Sequence, residues 1–329
     1  APHDVEETDP TNEQPSAVIS FGSQPDTDAA LAAATQAFPA WAATDPAERI
    51  ALLEQLLEVY KGRYAEMAEA ISLEMGAPIS LSQVAQAGSG AMHLQTFIEE
   101  LKKFEFDRPL GDHAPGDRIL YEPVGVAALI TPWNWPMNQV TLKVAPALGV
   151  GCTMVLKPSE IAPLSSYLFA DMIHEAGFPA GVFNMVHGDG AGVGTQLSGH
   201  PDVDMVSFTG STRAGIAITK NAADSVKRVA LELGGKGANI IFEDADEGAV
   251  VRGVRQCMMN SGQSCNAPTR MLVHRSRYQE ALDAARDAAA KTAVGTAHEE
   301  GRHIGPVVSD VQWNKIQGLI AKGEEEGAK

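Results

Sequence analysis

Five short apolar runs decide the fold: Gly125–Ile130 (GVAALI), Thr153–Leu156 (TMVL), Val182–Val186 (VFNMV), Val203–Phe208 (VDMVSF) and Lys227–Leu231 (KRVAL). Between them lie stretches with helical spacing: 137–150, 163–176, 191–198 and 212–222. Strands this short and this apolar are covered on both faces, and the helices between them are long enough to cross over a sheet. The pattern is a series of βαβ units, hence an α/β fold on an open parallel sheet of Rossmann-like type. Ligands of such sheets bind beyond the carboxyl ends of the strands.

The residues after each strand are therefore the first place to look for function. They are Thr131-Pro132-Trp133-Asn134-Trp135-Pro136, Lys157-Pro158-Ser159-Glu160, His187-Gly188-Asp189-Gly190, Thr209-Gly210-Ser211-Thr212 and Glu232-Leu233-Gly234-Gly235-Lys236. One rim thus carries an amide, a lysine, carboxylates, hydroxyls and glycines, which suits a dinucleotide crevice. A strict Gly-x-Gly-x-x-Gly is absent, because Val193 stands where the third glycine would be.

Outward from this block, the N-terminal part is helical. Residues 1–25 read as a polar lead-in with short strands. Alanines recur at helical spacing over 26–41. Asp45-Pro46-Ala47-Glu48 then caps a long helix, with Asp45 and Glu48 as a capping box, that the pattern carries to Met75 and Gly76. A third helix covers 80–102, and two strand-like pieces cover 103–109 and 117–122. Beyond Gly234 a second α/β pattern begins, with strands at 239–242 and 270–273 and helices at 246–259, 275–291 and 310–326. It holds too few strands for a finished sheet.

The chain has 329 residues, a length that suits about two domains. Acidic residues outnumber basic ones 42 to 25, a net charge of −17. That field opposes nucleic acid and anionic membrane as partners. The acidic clusters at 243–247 and 324–326 read as solvated surface. Three cysteines, Cys152, Cys257 and Cys265, make no disulfide framework and no zinc pattern. With a polar, Pro-rich start and no long apolar run, they point to a cytoplasmic protein. Ala1 is not a methionine and Lys329 closely follows a helix, the pattern of a chain cut at both ends.

Cys265 differs from the other two cysteines. It lies in the small, polar run Asn260-Ser261-Gly262-Gln263-Ser264, whereas Cys152 and Cys257 sit in apolar surroundings. Thiolate attack on a carbonyl needs a base and donors for the oxyanion. Glu232 and Asn134 offer both, at the ends of strands. Each has a bland reading too: Glu232 as a structural ion pair, Asn134 as a turn residue, Lys157 as a solvent-facing lysine.

Taken in order, Thr131–Pro136, Lys157–Glu160, Phe208–Ser211, Glu232–Lys236 and Gly262–Cys265 resemble the aldehyde dehydrogenase superfamily, over essentially the whole chain. The resemblance implies NAD, or NADP, bound on a parallel sheet without the usual fingerprint. It implies Cys265 as nucleophile, Asn134 as oxyanion donor, Glu232 as base for hydrolysis, and Lys143 as a proton-handling or structural lysine. The cofactor would meet Ile130, Thr131, Pro132, Trp133, Lys157, Ser159, Glu160, Gly190, Gly194, Phe208, Thr209, Gly210, Ser211 and Leu233. Glu160 would favour NAD by opposing a 2′-phosphate. The implied division is a cofactor domain of residues 1–102 and 123–231, bridging strands at 103–122, and a catalytic part over 232–329.

The same resemblance implies an aldehyde as substrate and a homodimer or homotetramer when full length, assembled through 103–122. Cys265–Arg270 is similar to a bacterial subgroup acting on medium-chain or ω-oxo acid aldehydes, and Trp135, Met137 and Gln139 would wall an apolar tunnel. Family members continue past the point matching Lys329 with a Glu-x-Phe-Gly-Pro element that has no match after Cys265. The chain then reads as a C-terminally truncated member, inactive or weak in binding NAD by itself. A CoA-acylating semialdehyde dehydrogenase is an alternative, although Glu232 favours hydrolysis. A non-catalytic or inactive truncated member is another.

Overall fold

The computed structural model describes residues 3–328. An antiparallel hairpin, β1 (His3–Asp9) and β2 (Gln14–Phe21), leads into helices α1 (Gln24–Ala42), α2 (Pro46–Gly62), α3 (Tyr64–Met75), α4 (Ile79–Leu81) and α5 (Ala87–Leu101). A second hairpin, β3 (Asp107–Pro109) and β4 (Arg118–Leu120), follows. Then come β5 (Val126–Ile130), α6 (Pro136–Val150), β6 (Thr153–Lys157), α7 (Leu164–Glu175), β7 (Phe183–Met185), α8 (Thr195–Gly199), β8 (Met205–Gly210), α9 (Thr212–Ala222) and β9 (Arg228–Leu233). The chain continues as β10 (Ala238–Ile241), α10 (Ala249–Met258), β11 (Arg270–Val273), α11 (Tyr278–Ala290) and α12 (Asp310–Glu325).

The five expected strands form one parallel sheet in the order β7-β6-β5-β8-β9. β5 and β6 are buried at every position. Their side chains divide by pleat. Ala127 and Leu129 pack with α2, α3, α5, α6 and α7, whereas Val126, Ala128 and Ile130 pack with Leu31 of α1, Leu197 of α8 and Ile218 of α9. Helices on both faces thus explain the uninterrupted apolar runs. Gly125 enters β5 at φ +125°, where a Cβ would lie 1.9 Å from the Asp204 carboxylate. The same carboxylate accepts from Val126 N–H (2.8 Å).

Several boundaries differ from the sequence reading. The long helix over 45–75 is two helices, broken at Arg63 (φ −109°, ψ 21°), which the periodicity of leucines does not reveal. Asp45 caps α2 through Ala47 N–H (2.8 Å). The reciprocal bond expected of Glu48 forms instead at α1, where Asp26 accepts from Ser23 N–H (2.8 Å). The helix over 80–102 is interrupted by a π-helical turn, Ser82–Gln86. The hairpin at 103–122 is shorter than expected. β6, β8 and β9 run on through Lys157, Gly210 and Leu233, so these rim residues belong to strands. The acidic clusters are exposed.

β10 and β11 form a separate parallel pair. A small cluster of Ile241, Val250 and Ala281 joins them to α10 and α11.

Candidate active site

β5 sits at the point where the sheet reverses direction. The chain moves from β5 outward through β6 to β7, then returns to place β8 on the other side of β5. The carboxyl ends of β5 and β8 therefore part and leave a crevice. Register places Ile130 opposite both Lys157 and Phe208, Thr209 opposite Glu232, and Gly210 opposite Leu233. The residues singled out on separate strands thus lie on one rim.

Lys157 does not face solvent as a lysine usually does. It is buried, and its Nζ donates to Pro158 O (2.8 Å), Gly188 O (2.6 Å) and Glu160 Oε2 (3.2 Å), which uses all its protons. Burial pulls its pKa down and Glu160 opposes that shift. Its stem runs past Gly194, whose added Cβ would be 3.8 Å from it. Gly190–Gly194 form a π-helical turn, and around Gly190 there is open space. Ser159 is buried, with Oγ accepting from Ile161 N–H (3.2 Å). Ser211 caps α9 by accepting from Ala214 N–H (3.2 Å). The buried Thr209 hydroxyl has no hydrogen-bond partner among the described residues.

Cys265 follows a sharp reversal. Past α10, Asn260 (φ 55°) and Ser261 (φ 58°) take left-handed conformations, and Gly262 (φ +75°) a third. Side chains there are strained, so surrounding bonds must fix the loop. Asn260 Nδ2 donates to Asn134 O (2.9 Å), and Gln263 accepts at Oε1 from Val308 N–H (3.0 Å). Ser261 Oγ donates to Gly305 O (2.7 Å). Gln86, at the end of the π turn, donates from Nε2 to Asn134 O (3.1 Å) and Asn260 Oδ1 (3.3 Å). From the crevice side, Asn134 Nδ2 donates to Gln263 O (2.9 Å) and Trp135 Nε1 to Ser264 Oγ (2.8 Å). The turn after β5 is therefore clipped to the two residues that precede Cys265, itself exposed.

Glu232 is exposed on the edge strand and makes no hydrogen bond to Cys265. Its charge reaches Lys143 instead. Lys143 is buried with its Nζ donating to Ser207 Oγ (3.0 Å). Burial pulls its pKa down to about 8, against the pull of Glu232 in the other direction.

Met137 lies wholly in the core and cannot wall a substrate tunnel. Its neighbours on α6 are polar rather than apolar: Asn138 Nδ2 meets His93 Nε2 (2.9 Å), and Gln139 Nε2 donates to Asn138 Oδ1 (3.0 Å). The sequence reading also passed over Gln86, Asn260 and Ser207. A glutamine on the same helical face as Gly90 and Leu94 was the available signal for Gln86. A cleft of about 910 Å3 lies between α10, α11 and residues 302–304 and does not include Cys265.

A family model described as "Aldehyde dehydrogenase family" matches residues 1–329. The chain belongs to the aldehyde dehydrogenase family. Within it, a 3-succinoylsemialdehyde-pyridine dehydrogenase of a Pseudomonas species is 49% identical over 99% of this chain and 68% of its own length. Among solved structures, an aldehyde dehydrogenase from Bartonella henselae superposes with a TM-score of 0.98 at 57% identity, covering 100% of this chain and 69% of that one. A variant of aldehyde dehydrogenase C from Pseudomonas syringae, solved with NAD+ and octanal, gives a TM-score of 0.97 at 45% identity, covering 100% and 67%. This aldehyde dehydrogenase chain thus spans about two thirds of the relatives it matches. Among its described residues no helix is long and apolar enough to cross a membrane, and no group of His, Cys, Asp or Glu side chains could hold a metal ion.

Proposed function

We propose that this chain carries the cofactor crevice and nucleophile of an NAD-dependent aldehyde dehydrogenase of the hydrolytic type. The observation that carries the reading is the pair of bonds Asn134–Gln263 and Trp135–Ser264, which bring the crevice turn to the cysteine loop. NAD fits the crevice: the unpartnered Thr209 hydroxyl and the open space at Gly190 both lie along its rim. Thr131, Pro132 and Trp133 would form one wall of its floor, Phe208 and Leu233 the other. Glu160 would meet the adenosine ribose and repel a 2′-phosphate, and Lys157, already committed to two carbonyls and to Glu160 itself, has no proton left to offset that repulsion. NAD is therefore favoured over NADP.

In this reading Cys265 Sγ attacks the aldehyde carbon, a C–S bond forms, and the carbonyl electron pair moves to oxygen. Asn134 has a second Nδ2–H beyond the one given to Gln263, and with Cys265 N–H it holds the oxyanion. Bound NAD supplies a hydride acceptor, and the loss of hydride leaves a thioester on Cys265. Glu232 takes a proton from water as that water attacks the thioester, the C–S bond breaks, and the acid leaves. Buried Lys143 ties β8 to α6 through Ser207. Retention of Glu232 supports hydrolysis over transfer to coenzyme A.

The relative that acts on a succinoyl semialdehyde and the neighbour holding octanal support an aldehyde of medium length. Assembly into a homodimer or homotetramer would use β3–β4, where Leu120 and Tyr121 are exposed. The test is reduced-cofactor absorbance with NAD, NADP and a panel of aldehydes. In the protein that carries this chain, turnover with NAD that vanishes in Cys265→Ala is expected; acid formation that persists in Cys265→Ala would end the proposal, and product only in the presence of coenzyme A would replace it with the acylating reaction.

A further inference from the structure

Asn260 stands at the centre of the bonds that join the crevice turn to the cysteine loop. It is 2% exposed, and its backbone is left-handed (φ 55°, ψ 32°). Its Nδ2 donates to two carbonyls at once, Asn134 O (2.9 Å) and Gln263 O (3.3 Å). Gln263 O is also where the Asn134 side chain lands, donating from its own Nδ2 (2.9 Å). Asn134, Gln263 and Asn260 therefore close a ring of hydrogen bonds. Asn260 holds Asn134 by its backbone and also holds the carbonyl on which the Asn134 amide rests.

The direction of these bonds is fixed by their partners. Turned over, the Asn260 amide would set Oδ1 against two carbonyl oxygens, and Gln86 Nε2, which donates to Oδ1 (3.3 Å), would lose its acceptor. The residue type is fixed as well. Few side chains tolerate a left-handed backbone; of those that do, glycine has no side chain and aspartate no amide donor. Asn134 Nδ2 carries two protons, one given to Gln263 O and the other left for an oxyanion. With Asn134 O and Gln263 O both tied to Asn260, the Asn134 amide cannot turn without breaking a bond, so its second proton has one direction. A donor fixed before charge develops is what stabilises an oxyanion well.

We infer that Asn260 is a positioning residue for the oxyanion donor, holding the Asn134 amide in the one orientation that leaves its second proton free. Buried as it is, Asn260 acts through Asn134 and not on the aldehyde. The left-handed turn ahead of Cys265 thus serves to deliver an amide to Asn134 O and Gln263 O, as well as to reverse the chain. This rests on the dehydrogenase reading above.

Steady-state rates with NAD and hexanal would be compared, in the protein that carries this chain, for Asn260→Gly, Asn260→Asp, Asn134→Ala and the double variant Asn260→Gly/Asn134→Ala. Glycine takes the left-handed backbone without strain and aspartate tolerates it, so both keep the turn while removing the donor. In each, kcat and kcat/KM should fall together by roughly tenfold or more, the mark of an interaction made in the transition state. The double variant should be no slower than Asn134→Ala alone, because Asn260 then has nothing left to position. Losses that multiply in the double variant, a change confined to KM, or native rates in both Asn260 variants would overturn the assignment. A crystal structure of Asn260→Gly should show the Asn134 amide away from Gln263 O; an amide still seated there would also overturn it. Absence of turnover in the unmodified protein would instead overturn the dehydrogenase reading, and the crystal structure would still decide whether Asn260 places Asn134.

Discussion

The two parallel sheets of this chain are built from similar strands and are supported very differently. In the five-stranded sheet, β5 and β6 are buried along their whole length, with helices on both faces. In the β10–β11 pair, α10 and α11 cover one face only, and Ile240, Phe242 and Leu272 remain exposed. Parallel strands pair weakly unless both faces are covered. The cysteine loop hangs from the weaker pair. Its order therefore comes less from its own sheet than from bonds that cross to the stronger half: Asn134 to Gln263, Trp135 to Ser264, and Gln86 to Asn260. The Cys265 loop is held in place by the half that carries the five-stranded sheet.

Core truncation should separate the halves most strongly. Leu156→Ala, at a fully buried position of β6, is expected to cost about 2–5 kcal/mol, whereas Leu272→Ala on β11 should stay within about 0.5 kcal/mol in denaturant titrations. Equal costs would mean that the second sheet is covered as well as the first. Gln86→Leu tests the crossing bonds. It strips a donor from Asn134 O and Asn260 Oδ1, and should lower stability by about 1–3 kcal/mol while changing the rate at which iodoacetamide alkylates Cys265. An unchanged alkylation rate would show that the loop is ordered by its own half.

A smaller effect belongs to the supported half alone. Glu74 is wholly buried on α3, and burial raises its pKa from 4.5 to about 7 against the hydrogen bonds from Ser165. Glu7 on β1 is raised to about 9, first by burial and then by Glu74 and Glu160. Carboxyls whose folded pKa exceeds the unfolded value stabilise the fold below the unfolded pKa and lose that contribution as pH rises through the folded one. The melting temperature should therefore fall between pH 5 and 9, and Glu74→Gln should flatten the part of the fall up to about pH 7. A variant that follows the native pH curve would show that Glu74 ionises in the fold without penalty.

What the sequence revealed follows the same division. The five strands of the first sheet are uninterrupted apolar runs, because both faces are buried, and so they were legible together with the rim residues after them. The break at Arg63 and the π turn before Ala87 were hidden, because the apolar spacing of α2, α3 and α5 continues across both. The solvent-facing alternative for Lys157 fails for a related reason: lysine as a type favours the surface, while two backbone carbonyls that no sequence pattern displays make burial possible. At the site, Cys265, Asn134 and Glu232 stood out by residue type against their neighbours. Gln86 and Asn260 did not, since their importance lies in contacts between segments far apart in the chain. The wall of Trp135, Met137 and Gln139 was read as apolar, whereas Met137 turns into the core.

The most direct test is mass spectrometry of the Cys265 peptide. The Glu232→Gln variant would be incubated with NAD and an aldehyde, quenched in acid and digested. A mass gain equal to the aldehyde less two hydrogens, on Cys265 and only with NAD present, is the expected result, since it reports a thioester formed after hydride loss and left without its base. An acyl group on Cys152 or Cys257, or none under conditions where the native chain makes acid, would contradict the assignment of Cys265 as nucleophile.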